Sequence, residues 1–519
     1  MTEAEREQLL AEKDKALSYL RSIMTSPVYD VAVESDLTPL TKLSDKLNND
    51  IWLKREDQQP VHSFKLRGAY NKLSMLDEQS KQQGVVAASA GNHAQGLALA
   101  AKKLNIAATI VMPITTPDIK VDNVRRYGAD VRLIGKSYNE AQAAMHDVAK
   151  KEGKTVIHPF DDEDVLVGQG TVAKEILQQN PNADVVFVPV GGGGLLAGMA
   201  VYLKQMAPHV RVIGVEAEDS ACLKAALEAG QPTDLAQVGL FADGVAVKRI
   251  GETTFGLIER YCDDVITVNI DEICASIKDI FEQTRVIAEP AGALSLAGLQ
   301  KYCANSAGQE NLVAILSGAN MNFHSLRYVS ERCELGEQKE AVLAVTIPEQ
   351  KGSFRRFCKS LGGKVITEFN YRYNQQSAEK NASANIFVGV RVADSQQRHA
   401  LVESLSSSFF VRDFTDNELA KLHVRYMIGG HSPSALNERI FRFQFPEYPG
   451  ALENFLDMLG EHWNITLFHY RNHGAAFGQV LAGFELDDSD HSQFFEHLAS
   501  LGYVYSEETD NLAYQAFLD

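Results

Sequence analysis

The chain has 519 residues, 45% of them apolar, which is enough for several packed domains and argues against a disordered protein. Its 50 basic and 68 acidic side chains leave a formal charge of −18, which disfavours a nucleic-acid role, because phosphate binding needs an excess of Lys and Arg. Six cysteines (Cys222, Cys262, Cys274, Cys303, Cys333, Cys358) form no C-x-x-C pair, so neither a zinc site nor a disulfide framework is signalled and a reducing compartment is expected.

Residues 1–24 interleave Glu, Lys and Arg with Leu9, Leu10, Leu17 and Leu20, a spacing that predicts an amphipathic helix without an export signal. No run approaches the roughly 20 apolar residues of a membrane span, so no membrane role is read and the cytoplasm is the expected location. Residues 51–53, 85–89, 108–112, 131–134, 185–190, 210–215 and 313–316 have strand composition. Stretches between them, such as 96–104 and 139–150, have the length of crossover helices. The alternation predicts an α/β region with a parallel sheet, whose ligands bind beyond the carboxyl ends of the strands.

Four motifs fall into this frame. In Ser63-Phe64-Lys65-Leu66-Arg67-Gly68-Ala69, Lys65 sits among apolar neighbours. A lysine attacks carbonyls only as the free amine, and burial favours that form; by itself it reads far more readily as a surface lysine, and only the neighbouring motifs reverse that. The run Ser89-Ala90-Gly91-Asn92-His93-Ala94-Gln95-Gly96 follows a predicted strand and opens a predicted helix. The unpaired first amides there, around Ser89, Gly91, Asn92 and His93, offer a seat for a substrate carboxylate, with the Asn92 amide available to a ring hydroxyl. A plain Ser or Asn helix cap fits that segment equally well. Gly191, Gly192, Gly193 and Gly194, followed by Leu195, can form a nest of N–H groups around phosphate. No Gly-Lys-Ser/Thr follows, so a nucleotide loop is not supported. Ser317-Gly318-Ala319-Asn320 closes the last predicted strand and brings a hydroxyl within reach of a pyridine nitrogen. Together they point to pyridoxal phosphate, with Lys65 joined to its aldehyde and the glycines on its phosphate. A serine at the ring nitrogen, instead of a carboxylate, leaves a milder electron sink suited to elimination.

The segment 334–340 is charged and reads as helix-poor, and an internal repeat follows it. Pro348-Glu349, Gly352, Phe354, Phe357 and Leu361-Gly362 recur as Pro446-Glu447, Gly450, Leu452, Phe455 and Leu459-Gly460, from 348 to 446 and so on, 98 positions apart. Phe369-Asn370-Tyr371-Arg372 is answered by Phe468-His469-Tyr470-Arg471, 99 positions on, with predicted strands at 386–392 and 480–486 behind them. Each copy reads as strand, turn, amphipathic helix, strand, strand. The expected division is residues 1–333, 334–425 and 426–519.

On these motifs the chain resembles the fold-type II pyridoxal phosphate enzymes, and among them the biosynthetic threonine deaminases, also called threonine ammonia-lyases or threonine dehydratases. The resemblance spans nearly the whole length. It implies an α/β catalytic domain like the tryptophan synthase β subunit, followed by two α+β ACT-like regulatory subdomains. Carried over by residue, it implies that Lys65 bears the cofactor, Asn92 contacts the ring hydroxyl, Gly191, Gly192, Gly193, Gly194 and Leu195 hold the phosphate, and Ser317 faces the pyridine nitrogen. The implied reaction converts L-threonine to 2-oxobutanoate and ammonia, and L-serine to pyruvate, as the first step toward isoleucine. Isoleucine as inhibitor, valine as activator and a homotetramer are implied too; Tyr371 and Tyr470, at equivalent places in the two repeats, are the candidate effector contacts, with core or interface packing as the alternative. Racemase-type relatives bind a divalent cation near the position of Glu216, but Cys222 stands here where a later Asp ligand is expected, so no metal is expected. Two rivals remain at this level: a transferase of the same fold, and a non-catalytic amino-acid sensor.

Overall fold

The computed structural model describes residues 3–337, 339–348, 353–371, 383–426, 437–446, 463, 465–472, 477–487 and 489–517. They divide into two compact units, Met1–Asn322 and Phe323–Asp519. Among the described residues no helix is long and apolar enough to cross a membrane.

The first unit carries ten strands: β1 (Leu37–Pro39), β2 (Asp50–Arg55), β3 (Val85–Ala88), β4 (Ala108–Met112), β5 (Asp130–Leu133), β6 (Thr155–Val156), β7 (Val185–Pro189), β8 (Arg211–Ala217), β9 (Asp264–Val268) and β10 (Asn311–Leu316). They form not one sheet but two, a large one ordered β1-β2-β10-β7-β8-β9 and a small one ordered β5-β4-β3-β6. Every pairing is parallel except β1 with β2. The β7 run Val-Val-Phe-Val-Pro and the β4 run Ala-Thr-Ile-Val-Met are buried throughout, as parallel strands covered on both faces require. Helices Glu163–Gln179 and Gly194–Met206 pack with β7, β8 and β10 in the large core. The small lobe has its own core of Val85, Ala87, Ile110 and Met112 with Ala94, Leu97 and Ala101.

One helix belongs to both lobes. Lys65–Ser74 places Leu66, Ala69, Tyr70 and Leu73 in the small core, and its Gly68 lies against Gln169 and Val165 of the helix Glu163–Gln179. The helix Asn92–Lys103 approaches it so closely that a Cβ on Gly96 would stand 2.9 Å from the Leu66 nitrogen and 3.0 Å from the Lys65 carbonyl carbon. Backbone cannot yield there as a side-chain tip can. Gly96→Ala is therefore expected to lose about 1–3 kcal/mol and to displace Lys65, read as a lower urea midpoint together with weaker cofactor retention on dialysis.

The second unit holds two copies of one four-stranded sheet. The first contains β11 (Glu340–Pro348), β12 (Ile366–Tyr371), β13 (Ser383–Arg391) and β14 (Phe410–Asp413), ordered β12-β13-β11-β14. The second contains β15 (Glu438–Pro446), β16 (Ile465–Asn472), β17 (Phe477–Glu485) and β18 (Val504–Glu507), ordered β16-β17-β15-β18. The registers correspond throughout. Tyr371 opposes Ile386 as Tyr470 opposes Val480, and the same irregularity falls between Ile366 and Glu368 and between Ile465 and Leu467. Each copy also has a helix after its third strand, Ser395–Ser406 or His491–Leu501, and a fourth strand, which the five-element reading lacked. Glu349, Gly352, Arg372, Glu447, Gly450, Leu452, Phe455, Leu459 and Gly460 of the repeat lie outside the described residues. Val342, Ala344 and Phe387 of one sheet share a core with Ile440 and Leu481 of the other.

The segment beginning at 334, read as helix-poor, starts inside a helix, Leu326–Gly336, which falls in the second unit. Arg332 fixes that helix by donating from Nη1 and Nη2 to Glu418, at 3.0 and 2.7 Å. A bidentate partner 86 positions away is invisible to local composition.

Candidate active site

The carboxyl ends of the central strands converge on one cavity in the first unit. β7 runs into the four glycines, β10 into Ser317, and β2 leads through a short turn to Lys65. Lys65, Asn92, Gly191, Gly192, Gly193, Gly194, Leu195 and Ser317 all line it, together with Glu289. The two loops nearest the lysine are fastened to each other: Phe64 donates its N–H to the Ser317 carbonyl at 3.3 Å, and Ala319 donates to the His62 carbonyl at 3.0 Å.

Lys65 opens its helix and its ammonium lies 5.0 Å from the centre of the Phe64 ring. Among the described residues its side chain has no hydrogen-bond partner. Burial pushes the amine down to about 8, against the opposing pull of the Glu289 carboxylate. Below that pH the group is protonated and cannot add to a carbonyl; above it the lone pair is free. The rate at which the cofactor-free chain takes up pyridoxal phosphate is therefore expected to climb through pH 8 and then level off, as followed by visible absorbance in a stopped-flow pH series.

Elsewhere on the cavity lining, Gly193 caps the helix Gly194–Met206 with a left-handed φ of +89°, a conformation that glycine adopts without strain. At Gly192 a Cβ would stand 2.3 Å from the Phe160 ring. Thr254 holds the loop from behind, its hydroxyl donating to the Gly192 carbonyl at 2.8 Å. Among the described residues no protein acceptor takes the N–H groups of Gly192, Gly193 or Gly194, so they remain for an anion at a helix N-terminus.

The helix Asn92–Lys103 starts with Gly91 as its cap residue, and the Asn92 side chain does not cap it. Asn92 instead donates from Nδ2 to Glu289 Oε1 at 2.6 Å and accepts at Oδ1 from Asn320 Nδ2 at 2.7 Å. Ser89 Oγ accepts from the Gly91 N–H at 3.4 Å, and a Cβ on Gly91 would meet open space. The His93 ring turns into the protein, with Nε2 beside the Ile157 carbonyl at 3.3 Å, and burial pushes it down to about 3, so it is neutral. Ser317 Oγ donates to the Ala291 carbonyl at 3.1 Å.

Glu289 is the charged residue of the cavity lining that the sequence motifs did not reveal. It is buried, and burial pushes its carboxyl up to about 7, with Asp243 adding to the shift while Asn92, Lys120 and the Asn320 N–H oppose it. It caps the helix Pro290–Cys303, where Pro290 occupies the first turn. A Glu-Pro pair ahead of an apolar helix was the available signal, but nothing local connects it to Asn92, 197 positions away.

Glu216, at the end of β8, accepts from the N–H groups of Leu223 and Lys224 at 2.8 and 2.9 Å. Burial pushes it up to about 7. Cys222 beside it donates its thiol to the Gly191 carbonyl at 3.4 Å.

A family model described as pyridoxal-phosphate dependent enzyme matches residues 31–318. A second, the C-terminal regulatory domain of threonine dehydratase, matches residues 331–424 and again 430–518. The biosynthetic L-threonine dehydratase of Pasteurella multocida is 56% identical over 503 residues, covering 96% of this chain and 97% of the relative. The chain belongs to the biosynthetic threonine dehydratases. The Escherichia coli enzyme of that name is 55% identical over 515 residues, covering 98% of this chain and 99% of the relative. The solved structure of the processed form of threonine deaminase isoform 2 from Solanum lycopersicum aligns with a TM-score of 0.61 at 49% identity, covering 61% of this chain and 93% of that one. The dehydratase family uses pyridoxal phosphate, and the cavity fits it: its lining combines an amine without a hydrogen-bond partner among the described residues, a run of glycines packed too closely on Phe160, Val245 and Ile258 to carry side chains, and the polar groups of Asn92, Glu289 and Ser317.

Proposed function

We propose that this chain deaminates L-threonine to 2-oxobutanoate and ammonia, and L-serine to pyruvate, as the first step of isoleucine biosynthesis in the cytoplasm. The observation that carries the reading is that the Lys65 amine, the four consecutive glycines, Asn92 and Ser317 all line one cavity. When bound, pyridoxal phosphate supplies a carbonyl carbon for amines and a ring that accepts electrons from the substrate α-carbon.

The chain does the rest. Lys65 Nζ would take the substrate α-proton as general base. Backbone N–H groups of Gly191, Gly192, Gly193, Gly194 and Leu195 hold the phosphate dianion. Ser89, Gly91, Asn92 and His93 receive the substrate carboxylate through the amides of the loop before the helix, and Asn92 also meets the ring hydroxyl. Ser317 presents a neutral hydroxyl to the ring nitrogen. No divalent metal is expected, because Cys222 stands where a further oxygen ligand would be needed. Production of ammonia and 2-oxobutanoate in equal amounts from threonine alone tests the reaction; failure of the cofactor-loaded protein to do so refutes it.

We read the catalytic domain as residues 1–322 and the rest as two regulatory subdomains, 323–425 and 426–519, that bind isoleucine as inhibitor and valine as activator within a homotetramer. Equivalent strand positions of Tyr371 and Tyr470 support a matched pair of effector contacts. Tyr371→Ala or Tyr470→Ala is expected to raise the isoleucine concentration for half-inhibition about tenfold, the effect of losing some 1.4 kcal/mol of binding. Unchanged inhibition in both variants removes the assignment.

A further inference from the structure

A side-chain amide has two ends of nearly the same shape and opposite polarity, so its orientation is decided by its neighbours. For Asn92 the decision can be traced outward. Asn320 donates from Nδ2 to the Val61 carbonyl at 2.8 Å, and a carbonyl oxygen can only accept. The same Nδ2 carries a second hydrogen, which goes to Asn92 Oδ1 at 2.7 Å. Asn92 must then turn Nδ2 the other way, where Glu289 Oε1 accepts one of its hydrogens at 2.6 Å. The Glu289 carboxylate is held in place by its other oxygen, which accepts the Asn320 backbone N–H at 3.2 Å. Polarity is thus passed from a fixed backbone carbonyl through two amides to a carboxylate, and one Asn92 N–H is left over beside the cavity.

We propose that Asn320 is a positioning residue, which acts through Asn92 by fixing its amide so that an N–H, not the carbonyl, faces the ring hydroxyl of the cofactor. The proposal rests on the reading of Asn92 as the ring-hydroxyl contact. Its physical content is that an N–H there binds the hydroxyl oxygen in its anionic form, whereas a flipped amide would set two oxygens against each other. Hydrogen bonds of that charge-assisted kind are stronger than neutral ones.

The test is a cycle of variants read by cofactor binding. Full-length protein stripped of cofactor is titrated with pyridoxal phosphate, visible absorbance gives the dissociation constant, and a melting curve of each stripped variant shows that it is folded. Asn92→Ala and Asn320→Ala are each expected to weaken binding about tenfold, one charge-assisted hydrogen bond. Together they weaken it no more than Asn92→Ala alone, since Asn320 has no route to the cofactor once Asn92 is gone. Asn320→Asp, near in shape but without a donor for Val61 or Asn92, behaves like Asn320→Ala and keeps the proposal testable if the alanine variant does not fold. Losses that multiply in the double variant, or an Asn320 variant that binds like the parent, overturn the positioning role and leave the Asn92 contact standing. An Asn92→Ala protein that binds normally overturns the contact itself, and the proposal with it.

Discussion

Lys65→Ala is expected to cut turnover of threonine by about three orders of magnitude or more, within the range lost when a positioned general base is removed. The loss has two parts that separate experimentally. Without the amine the cofactor is held only by the glycine loop and its neighbours, so borohydride reduction leaves no label on the peptide carrying position 65. Without the base, the α-proton stays on the substrate even when cofactor is saturating, so kcat falls with the cofactor site filled. The side chain has no hydrogen-bond partner among the described residues, so its removal strands no donor or acceptor, and the variant is expected to melt within a few degrees of the parent. A variant that retains turnover, or a label on another lysine, refutes the assignment.

The second large effect concerns stability, two residues along the same helix. Arg67 is wholly buried with Lys54, Glu56 and Glu175, two positive and two negative groups with no solvent around them. Arg67 donates to both oxygens of Glu56 at 2.8 Å and to both of Glu175 at 2.6 and 3.0 Å; Lys54 meets Glu175 at 2.6 Å. Burial alone would lower the arginine, but the two carboxylates outweigh it and hold it firmly charged, while Arg67 in turn keeps Glu56 below the usual carboxylate range despite its burial. Arg67→Met leaves an uncompensated buried charge, which costs about 3–5 kcal/mol. Urea unfolding followed by Trp52 fluorescence in a Trp463→Phe background reads the first unit. Arg67→Lys recovers only part, since an ammonium cannot fork to two carboxylates. A midpoint unchanged in Arg67→Met would show that the quartet is not a net determinant of the fold.

The parts of the site legible in the sequence are those built from consecutive residues. Strand, glycines and helix at 185–206 follow one another along the chain, and so do strand, Gly91 and Asn92, because a loop at a strand end carries its backbone donors with it. Side-chain partnerships are different. Asn92 finds Glu289 and Asn320 at separations of 197 and 228 positions, and Arg67 finds Glu175 at 108; no periodicity encodes such a distance. The same limit hid the division into two sheets, since a buried strand such as β4 reads alike whichever neighbour it pairs with. In the second unit the repeat was visible through Pro, Gly and aromatic positions, whereas Ser395–Ser406 and His491–Leu501 have few residues in common and went unread. Their shared place emerges only from register.

The triangle of Asn92, Glu289 and Asn320 has one corner on the small lobe and two on the large, and Lys120 of the helix Asp118–Arg126 meets Asp243 across the same seam at 2.7 Å. Separation of the two lobes would part these amide, carboxylate and ion-pair bonds together. The contacts that orient the Asn92 amide thus also tie one lobe to the other.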